Sequence, residues 1–333
     1  MKNKNQISRR KFLKTTTASC VALSLPTIAL ATLKNKSNVI KIGIISDLHQ
    51  DVMHDGKERL SSFLQEMKQY QPNALLQLGD FAYPGDKNKE VIDMYNTANI
   101  NSFHVIGNHD TDAGYTKKQC LDYWGMPGRY YVKNIEGISF IVLDGNDKGS
   151  PNHKGGYASY VGEEQWIWLK EQLQKIEGPI IIVSHQPLAG VMAIDNAEEI
   201  QEILSTASDK ILLAINGHTH IDSLVRVKNV SYLHINSASY QWVGGNYKHN
   251  SYAQEVYDKY PWIASTCPYK DSLFATMTID PTTYTVTIKG KKSEWVGKSP
   301  AQLGSDQHPT LTNGEEIAAT IRNRTIEKAI KKQ

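Results

Sequence analysis

Five short groups of potential metal ligands recur along this chain: Asp47-Leu48-His49, Gly79-Asp80, Gly107-Asn108-His109-Asp110, His185-Gln186-Pro187 and Gly217-His218-Thr219-His220. Neutral imidazoles mixed with carboxylates suit Mn, Fe, Zn or Co, whereas an all-oxygen set would point to Ca or Mg. A carboxylate has two oxygens, so one Asp can touch two cations and offset part of both charges. Two cations about 3.5–4 Å apart can clamp a phosphoryl group and generate hydroxide at neutral pH. Taken singly, each group reads as ordinary turn residues and surface histidines. Asp-x-His arises by chance about once in a chain of this length, and Gly-Asp more often. Gly-Asn-His-Asp is expected only ~0.002 times at uniform residue frequencies. The ordered combination therefore outweighs the turn reading.

The elements that must position these groups follow from the hydrophobic pattern. Each group closes a short apolar run: Val39–Ser46, Ala74–Leu78, Phe103–Ile106, Ile180–Ser184 and Ile211–Ile215, the last followed by Asn216. Ile138–Leu143 is a sixth run of the same kind. Helical spacing appears between them, through Leu60, Phe63, Leu64 and Met67 in Gly56–Tyr70, and through Trp166, Leu169 and Leu173 in Glu163–Ile176. Near-continuous apolar strands separated by helices imply an α/β fold with buried sheets whose faces are covered. In such folds the loops at the carboxyl ends of the strands converge on one crevice, so groups far apart in sequence meet in space. The glycines before Asp80, Asn108 and His218 permit tight turns and close backbone approach.

Further along, Leu273–Ile279 and Tyr284–Ile288 flank Asp280-Pro281-Thr282-Thr283 and read as a hairpin. Glu315–Lys332 has helical periodicity with a start signal at Asn313. The expected organisation is one catalytic domain over residues 39–290 and a C-terminal tail over 291–333 that carries this helix.

The ordered groups resemble the calcineurin-like metallophosphoesterase family, over about residues 40–222. The resemblance implies a layered β-sandwich core flanked by helices and two divalent or mixed-valence metal ions. Transferred residue by residue, it gives Asp47, His49, Asp80 and His220 to one metal, and Asp80, Asn108, His185 and His218 to the other, with Asp80 bridging. His109 takes the family's place for a catalytic side chain that is not a ligand, and Asp110 follows it as an orienting partner. The activity implied is hydrolysis of a small phosphorylated substrate by in-line attack of a metal-bridging hydroxide. A protonated His109 can stabilise the developing charge or protonate the leaving oxygen, and Asp110 beside it would favour that charged form.

Hydrolysis of a pyrophosphate or nucleotide sugar, or of a cyclic nucleotide, fits the same ligand set. A non-catalytic module that keeps metal for structure is the alternative from another class; loss of ligands would mark it, and no expected ligand is missing. Gly79-Asp80-Phe81-Ala82-Tyr83 is also similar to the Gly-Asp-x-x-Tyr element of purple acid phosphatases, in which the Tyr binds ferric iron. Those enzymes carry Asp-x-Gly at the first group. Here His49 would occupy that coordination position, leaving Tyr83 near the site but not as a ligand.

Substrate choice is less legible. The stretch 240–262 holds Tyr240, Trp242, Tyr247, Tyr252, Tyr257, Tyr260 and Trp262 with Gly244, Gly245 and Asn246, which reads as an ordered loop. Its rings, with Tyr240 and Trp242 nearest the last ligand group, can stack on a base or sugar or simply pack the loop.

Charge and the N-terminus bound the remaining classes. The 333 residues are 40% hydrophobic and 21% charged, which excludes wholesale disorder. The formal net charge is +3, yet residues 1–31 contain six Lys and Arg and no acid; the rest carries 31 Lys+Arg against 34 Asp+Glu, a net of −3. Nucleic-acid binding therefore gains no support from composition. Ser8-Arg9-Arg10-Lys11-Phe12-Leu13-Lys14, the uncharged stretch Thr15–Leu33 and Ala29-Leu30-Ala31 are the parts of an export signal. The first of these resembles the bacterial twin-arginine signal. That resemblance implies passage through the twin-arginine export machinery to the bacterial periplasm and cleavage after Ala31. No stable membrane span is expected in the mature chain. Cys120 and Cys267 then remain, able to pair in an oxidising compartment or to stay as buried thiols.

Overall fold

The computed structural model describes residues 39–307, 311 and 317–328. The leader over 1–31 lies outside the described residues. Three strands open the chain in parallel: β1 (Ile40–Ile45), β2 (Ala74–Gln77) and β3 (Phe103–His104). A second sheet is then built from β4 (Tyr131–Ile135), β5 (Ile138–Val142), β6 (Ile180–Val183), β7 (Ile211–Asn216), β8 (Ser223–Val227) and β9 (Val230–His234), in the order β4-β5-β6-β7-β9-β8. A two-stranded ribbon follows, β10 (Tyr240–Trp242) against β11 (Thr266–Pro268). The chain then returns to the first sheet with β12 (Ala275–Ile279), β13 (Val286–Lys289) and β14 (Arg324–Ile326), giving the order β14-β13-β12-β1-β2-β3.

Strand periodicity explains the layers. In β5, Phe140 and Val142 join the large core that includes Ile42, Ile44 and Leu75 of the first sheet, while Ile141 joins a separate cluster. In β6, Ile181 and Val183 face the same large core and Ile180 and Ile182 the separate cluster. Alternate residues point to opposite faces, so these runs are apolar throughout because both faces are covered. The outer cluster is closed by α4 (Glu163–Lys175) through Leu169 and Leu173, and by α5 (Ala197–Ser205) through Ile200, Ile203 and Leu204. On the first sheet lie α1 (Gly56–Tyr70), which buries Leu60, Phe63 and Met67, α2 (Lys89–Ala98) and α3 (Lys117–Trp124). Gln71, in a left-handed conformation with φ 52°, ends α1 just before Pro72. Thr116 and Gln119 cap α3 reciprocally at its start, and Gly125 ends it. Two short helices, α6 (Gln254–Lys259) and α7 (Pro300–Leu303), lie in the last third. No helix among the described residues is long and apolar enough to cross a membrane.

The expected hairpin is present: β12 pairs with β13, and Asp280 Oδ1 accepts the amides of Thr282 and Thr283 across the turn. Cys120 and Cys267 are both buried free thiols.

The C-terminal tail differs from expectation. Within Glu315–Lys332 the described residues 317–328 are not helical; they include β14, which adds to the sheet edge at β13. Ile321 and Ile326 are buried there, and Arg322 and Arg324 both bind the buried Asp222. Two residues apart on one face is strand geometry, so an open sheet edge and a buried carboxylate override a local helical period. The sheet thus runs past residue 290, the expected end of the domain.

Candidate metal centre

Every ligand group sits where a parallel strand stops. β1 delivers Asp47 and His49, β2 Asp80, β3 Asn108, β6 His185, and β7 His218 and His220. Ile45 pairs with Gln77 and Val183 with Ile215, so the strands within each sheet end level and their loops share one rim. Beyond the strands the backbone stays zippered: Asp47 N–H donates to Gly79 O at 3.1 Å and His49 N–H to Asp80 O at 2.9 Å. Five of the seven expected ligands are in the left-handed region: Asp47 (φ 50°), His49 (49°), Asp80 (50°), His218 (69°) and His220 (52°). Such conformations cost on the order of 1–3 kcal/mol each at non-glycine residues and gather at functional sites. They turn the side chains inward. A Cβ on Gly79 (φ 97°) would collide with the His185 ring, and one on Gly107 with the Asp80 carboxylate.

The seven residues meet in two clusters, Asp47–His49–His220 and Asp80–His185–His218, with Asn108 beside the second. In the first, His220 Nε2 lies 3.3 Å from Asp47 Oδ1 and 3.2 Å from His49 Nε2. In the second, His185 Nε2 lies 3.2 Å from Asp80 Oδ2, 3.1 Å from Asn108 Oδ1 and 3.2 Å from His218 Nδ1. Asp80 Oδ2 is also 3.7 Å from His49 Nε2, so a single oxygen faces both clusters.

The donor set fits cations. His185 Nδ1 pairs with Leu78 O at 2.7 Å and His220 Nδ1 with Tyr240 O at 2.7 Å. A carbonyl only accepts, so both Nδ1 atoms carry protons and each Nε2 faces the centre, where it would offer its lone pair to a bound cation. Without a cation, burial works against a charge on His185, but the Asp80 carboxylate outweighs it and raises the ring to about 9. Imidazole nitrogens facing one another near 3.2 Å, with buried carboxylates beside them, would all be satisfied together by a cation between them. Burial works against ionisation of Asp80, yet the His185 and His109 charges win and hold it well below the usual carboxylate range. Asp47 is likewise lowered, burial being outweighed by its hydrogen bond and charge interaction with His220. His49 is pushed down to about 3 by burial, and His218 to about 3 by burial and the neighbouring His185, so both rings are neutral donors at pH 7.

Asp110 departs from its expected role. Its carboxylate accepts the amides of Asp80 (2.9 Å), Phe81 (2.8 Å) and Gly107 (2.7 Å), tying the second and third ligand loops together. The partner of His109 is Asp112, whose Oδ2 lies 2.8 Å from His109 Nδ1. Residues 109–114 are two short 3₁₀ pieces joined by a kink at Asp112 (ψ 172°) and Ala113 (φ 57°), and at the kink Asp112 meets the ring while Asp110 faces the loops. Tyr157 adds a second contact: its hydroxyl lies 3.1 Å from His109 Nδ1 and 2.8 Å from Asp112 Oδ2. Asp112 stands three residues from His109 in the sequence, but the kink that brings them together has no local signal there, and nothing local marks Tyr157.

The pocket candidates separate as well. Tyr83 lines the cavity near His109 and Asp112, with its ring 5.7 Å from that of Tyr115. Tyr240 is buried and stacks on His49 at 4.9 Å, so besides bordering the cavity it backs a ligand, and its carbonyl orients another. Trp242 remains open to the cavity. Much of the aromatic stretch is core packing: Tyr240 and Tyr257 join Met53 and Ile263, with Tyr252 and Tyr260 against them.

Comparison with known proteins agrees with this geometry. No curated protein sequence matches the chain. Among solved structures, a dimetal phosphatase from Danio rerio is similar at a TM-score of 0.53 and 14% identity, covering 78% of this chain and 99% of that one. GAP50, the anchor in the inner membrane complex of Plasmodium, is similar at 0.53 and 18% identity, covering 78% and 87%. At these identities the likeness establishes the fold alone. The model of the calcineurin-like phosphoesterases matches residues 40–222, the span that carries every ligand group, and the chain belongs to the calcineurin-like phosphoesterase family.

Proposed function

We propose that this protein hydrolyses a phosphate ester at a two-cation centre, with water as nucleophile and no covalent enzyme intermediate. The observation that carries the reading is Asp80 Oδ2, placed 3.2 Å from His185 Nε2 and 3.7 Å from His49 Nε2, one donor from each cluster. When bound, two cations supply Lewis acidity and a hydroxide for in-line attack at phosphorus. The chain does the rest. Asp47 and Asp80 stay ionised, and His185 and His220 are held in one tautomer by backbone carbonyls. His109, with Nδ1 engaged by Asp112, keeps Nε2 to give a proton to the leaving oxygen. The donor chemistry favours Mn, Fe, Zn or Co.

The test uses protein lacking residues 1–31, beside Asp80→Asn, with each of the four metals supplied. Aryl phosphate monoesters, aryl phosphodiesters and nucleoside diphosphate sugars are the substrates. The expected result is close to two metals per chain and turnover that Asp80→Asn abolishes. A well-folded protein that binds no metal would refute the reading. His109→Ala separates an enzyme from a binding module: an enzyme loses most turnover while keeping its metals, and a module has none to lose.

We also propose export by the twin-arginine route to the bacterial periplasm, supported by Ser8–Lys14 and the uncharged stretch after it. Fusing residues 1–38 to a folded reporter tests it, because Arg9→Lys/Arg10→Lys should keep the reporter inside the cell.

A further inference from the structure

The cavity over the metal centre has a volume of about 710 Å³. That is within the ~300–1,000 Å³ range of small-molecule sites and far more than a phosphoryl group fills. Its wall away from the ligands is apolar and open. Trp262 is 61% exposed and Trp242 is 45% exposed, and both line the cavity.

These indoles are held on a built platform. Trp242 ends β10, two residues beyond Tyr240, whose ring stacks on His49. Side chains at i and i+2 lie on one side of a strand about 6.6–6.8 Å apart. Trp242 therefore stands one strand repeat from the ring that stacks on His49, and both line the same cavity. Trp262 is carried by the turn Pro261–Ser265 that leads into β11, the partner strand of the same ribbon. The small core of Met53, Tyr240, Tyr257 and Ile263 fixes the ribbon from behind. Large rings on a fixed support bind at little cost in conformational entropy.

Charge narrows the ligand further. Among the described residues that line the cavity there is no Lys or Arg; the acids are Asp80 and Asp112. One phosphate can be met by the metal centre. A second phosphate would find no Lys or Arg there, and the one imidazole placed to carry a charge outside the ligand set, His109, is already engaged by Asp112.

We infer that the site takes esters of a single phosphate whose alcohol carries a planar aromatic group, seated against Trp242 and Trp262. This rests on the phosphoesterase reading above. In the reaction the water oxygen bonds to phosphorus and the ester P–O bond breaks, its electron pair leaving with the alcohol oxygen. One proton of the water ends on the alcohol and the other stays on the phosphate.

The experiment uses the metal-loaded full chain and two substrates with alkoxide leaving groups, 2-naphthylmethyl phosphate and propyl phosphate, so that intrinsic reactivity is similar. The wild-type protein should prefer the naphthylmethyl ester in kcat/KM. Trp242→Ala and Trp262→Ala should each lower that preference at least about fivefold, the loss expected for one aromatic stack. Binding of 2-naphthylmethylphosphonate, followed by quenching of tryptophan fluorescence, should weaken in parallel. Uridine diphosphate glucose should be turned over at least about tenfold less well than the naphthylmethyl ester. Hydrolysis of both monoesters with equal preference in wild type and variants would overturn the aromatic site and leave the phosphoesterase reading standing. Comparable turnover of the diphosphate would overturn the single-phosphate part. If no ester is hydrolysed while the phosphonate binds and the tryptophan variants weaken it, the aromatic site stands and the phosphoesterase reading falls.

Discussion

Asp112 Oδ2 lies 2.8 Å from His109 Nδ1, three residues away at a kink in the 3₁₀ segment 109–114. Asp110, adjacent to His109 in sequence, turns instead into the protein and accepts three backbone amides. Two carboxylates two residues apart thus have separate tasks, one holding a ring and the other holding loops.

Removing the first should affect turnover without affecting the scaffold. Asp112→Asn is expected to lower kcat by about 10²-fold, with two metals retained and KM nearly unchanged. Tyr157→Phe, which removes only the second contact, should cost about tenfold or less. Steady-state kinetics with metal analysis on each purified variant decides the matter. An Asp112→Asn enzyme of full activity would show that the ring needs no such partner.

Asp110 should behave in the opposite way. Asp110→Ala leaves three buried amides without an acceptor, each costing about 1–3 kcal/mol. The net loss of stability is expected to be on the order of 3–5 kcal/mol, together with weaker metal retention, because Asp80 (φ 50°) loses the bond that holds its amide. Denaturant unfolding gives the number. A loss below about 1 kcal/mol would count against a loop-tying role.

His104 sets an acid limit on stability. It is buried, with Gln77 Nε2 at 3.1 Å from Nδ1 and Asn96 Oδ1 at 2.6 Å from Nε2, an arrangement that accepts only the neutral ring. Burial lowers its pKa from 6.5 to about 3. Between those values the unfolded chain binds a proton that the folded chain does not, so stability from this group is intact above about pH 6.5 and falls with acid by up to about 1.4 kcal/mol per pH unit. His104→Gln should be less stable at pH 7, yet its stability should fall less steeply between pH 6 and 4. Parallel slopes in urea unfolding at several pH values would contradict this.

The C-terminal strand should prove integral. Arg324 Nη1 lies 2.6 Å from Asp222 Oδ1, and Asp222 is buried. Arg324→Ala is expected to cost about 2 kcal/mol, since Arg322 still meets the carboxylate; deleting residues 317–333 leaves it unpaired and should cost about 3–5 kcal/mol. Deletion mutants that unfold at the wild-type midpoint would show instead that the domain ends near residue 290.

Much of this protein is written in its local sequence. Apolar runs such as Ile180–Val183 are stable between two covered faces, so these buried strands and covered sheets followed from pattern, while the layered sandwich was what the family resemblance implied. The positions of Asp47, His49, Asp80, Asn108, His185, His218 and His220 were legible for the same reason: each follows a strand, and parallel strands end at one rim. Other features had no local signal. The left-handed backbone at five of the expected ligands goes with loops bonded to one another across the sheet, and Tyr157 reaches His109 across 48 residues. The turn that pairs His109 with Asp112 rather than Asp110, and the strand that replaces a helical period near Arg324, were decided by tertiary partners. Sequence thus determined which residues could bind cations and which strands deliver them. Tertiary structure decided which neighbour each side chain meets, because hydrogen bonds across loops and an open sheet edge outweigh the small free energies of local preference.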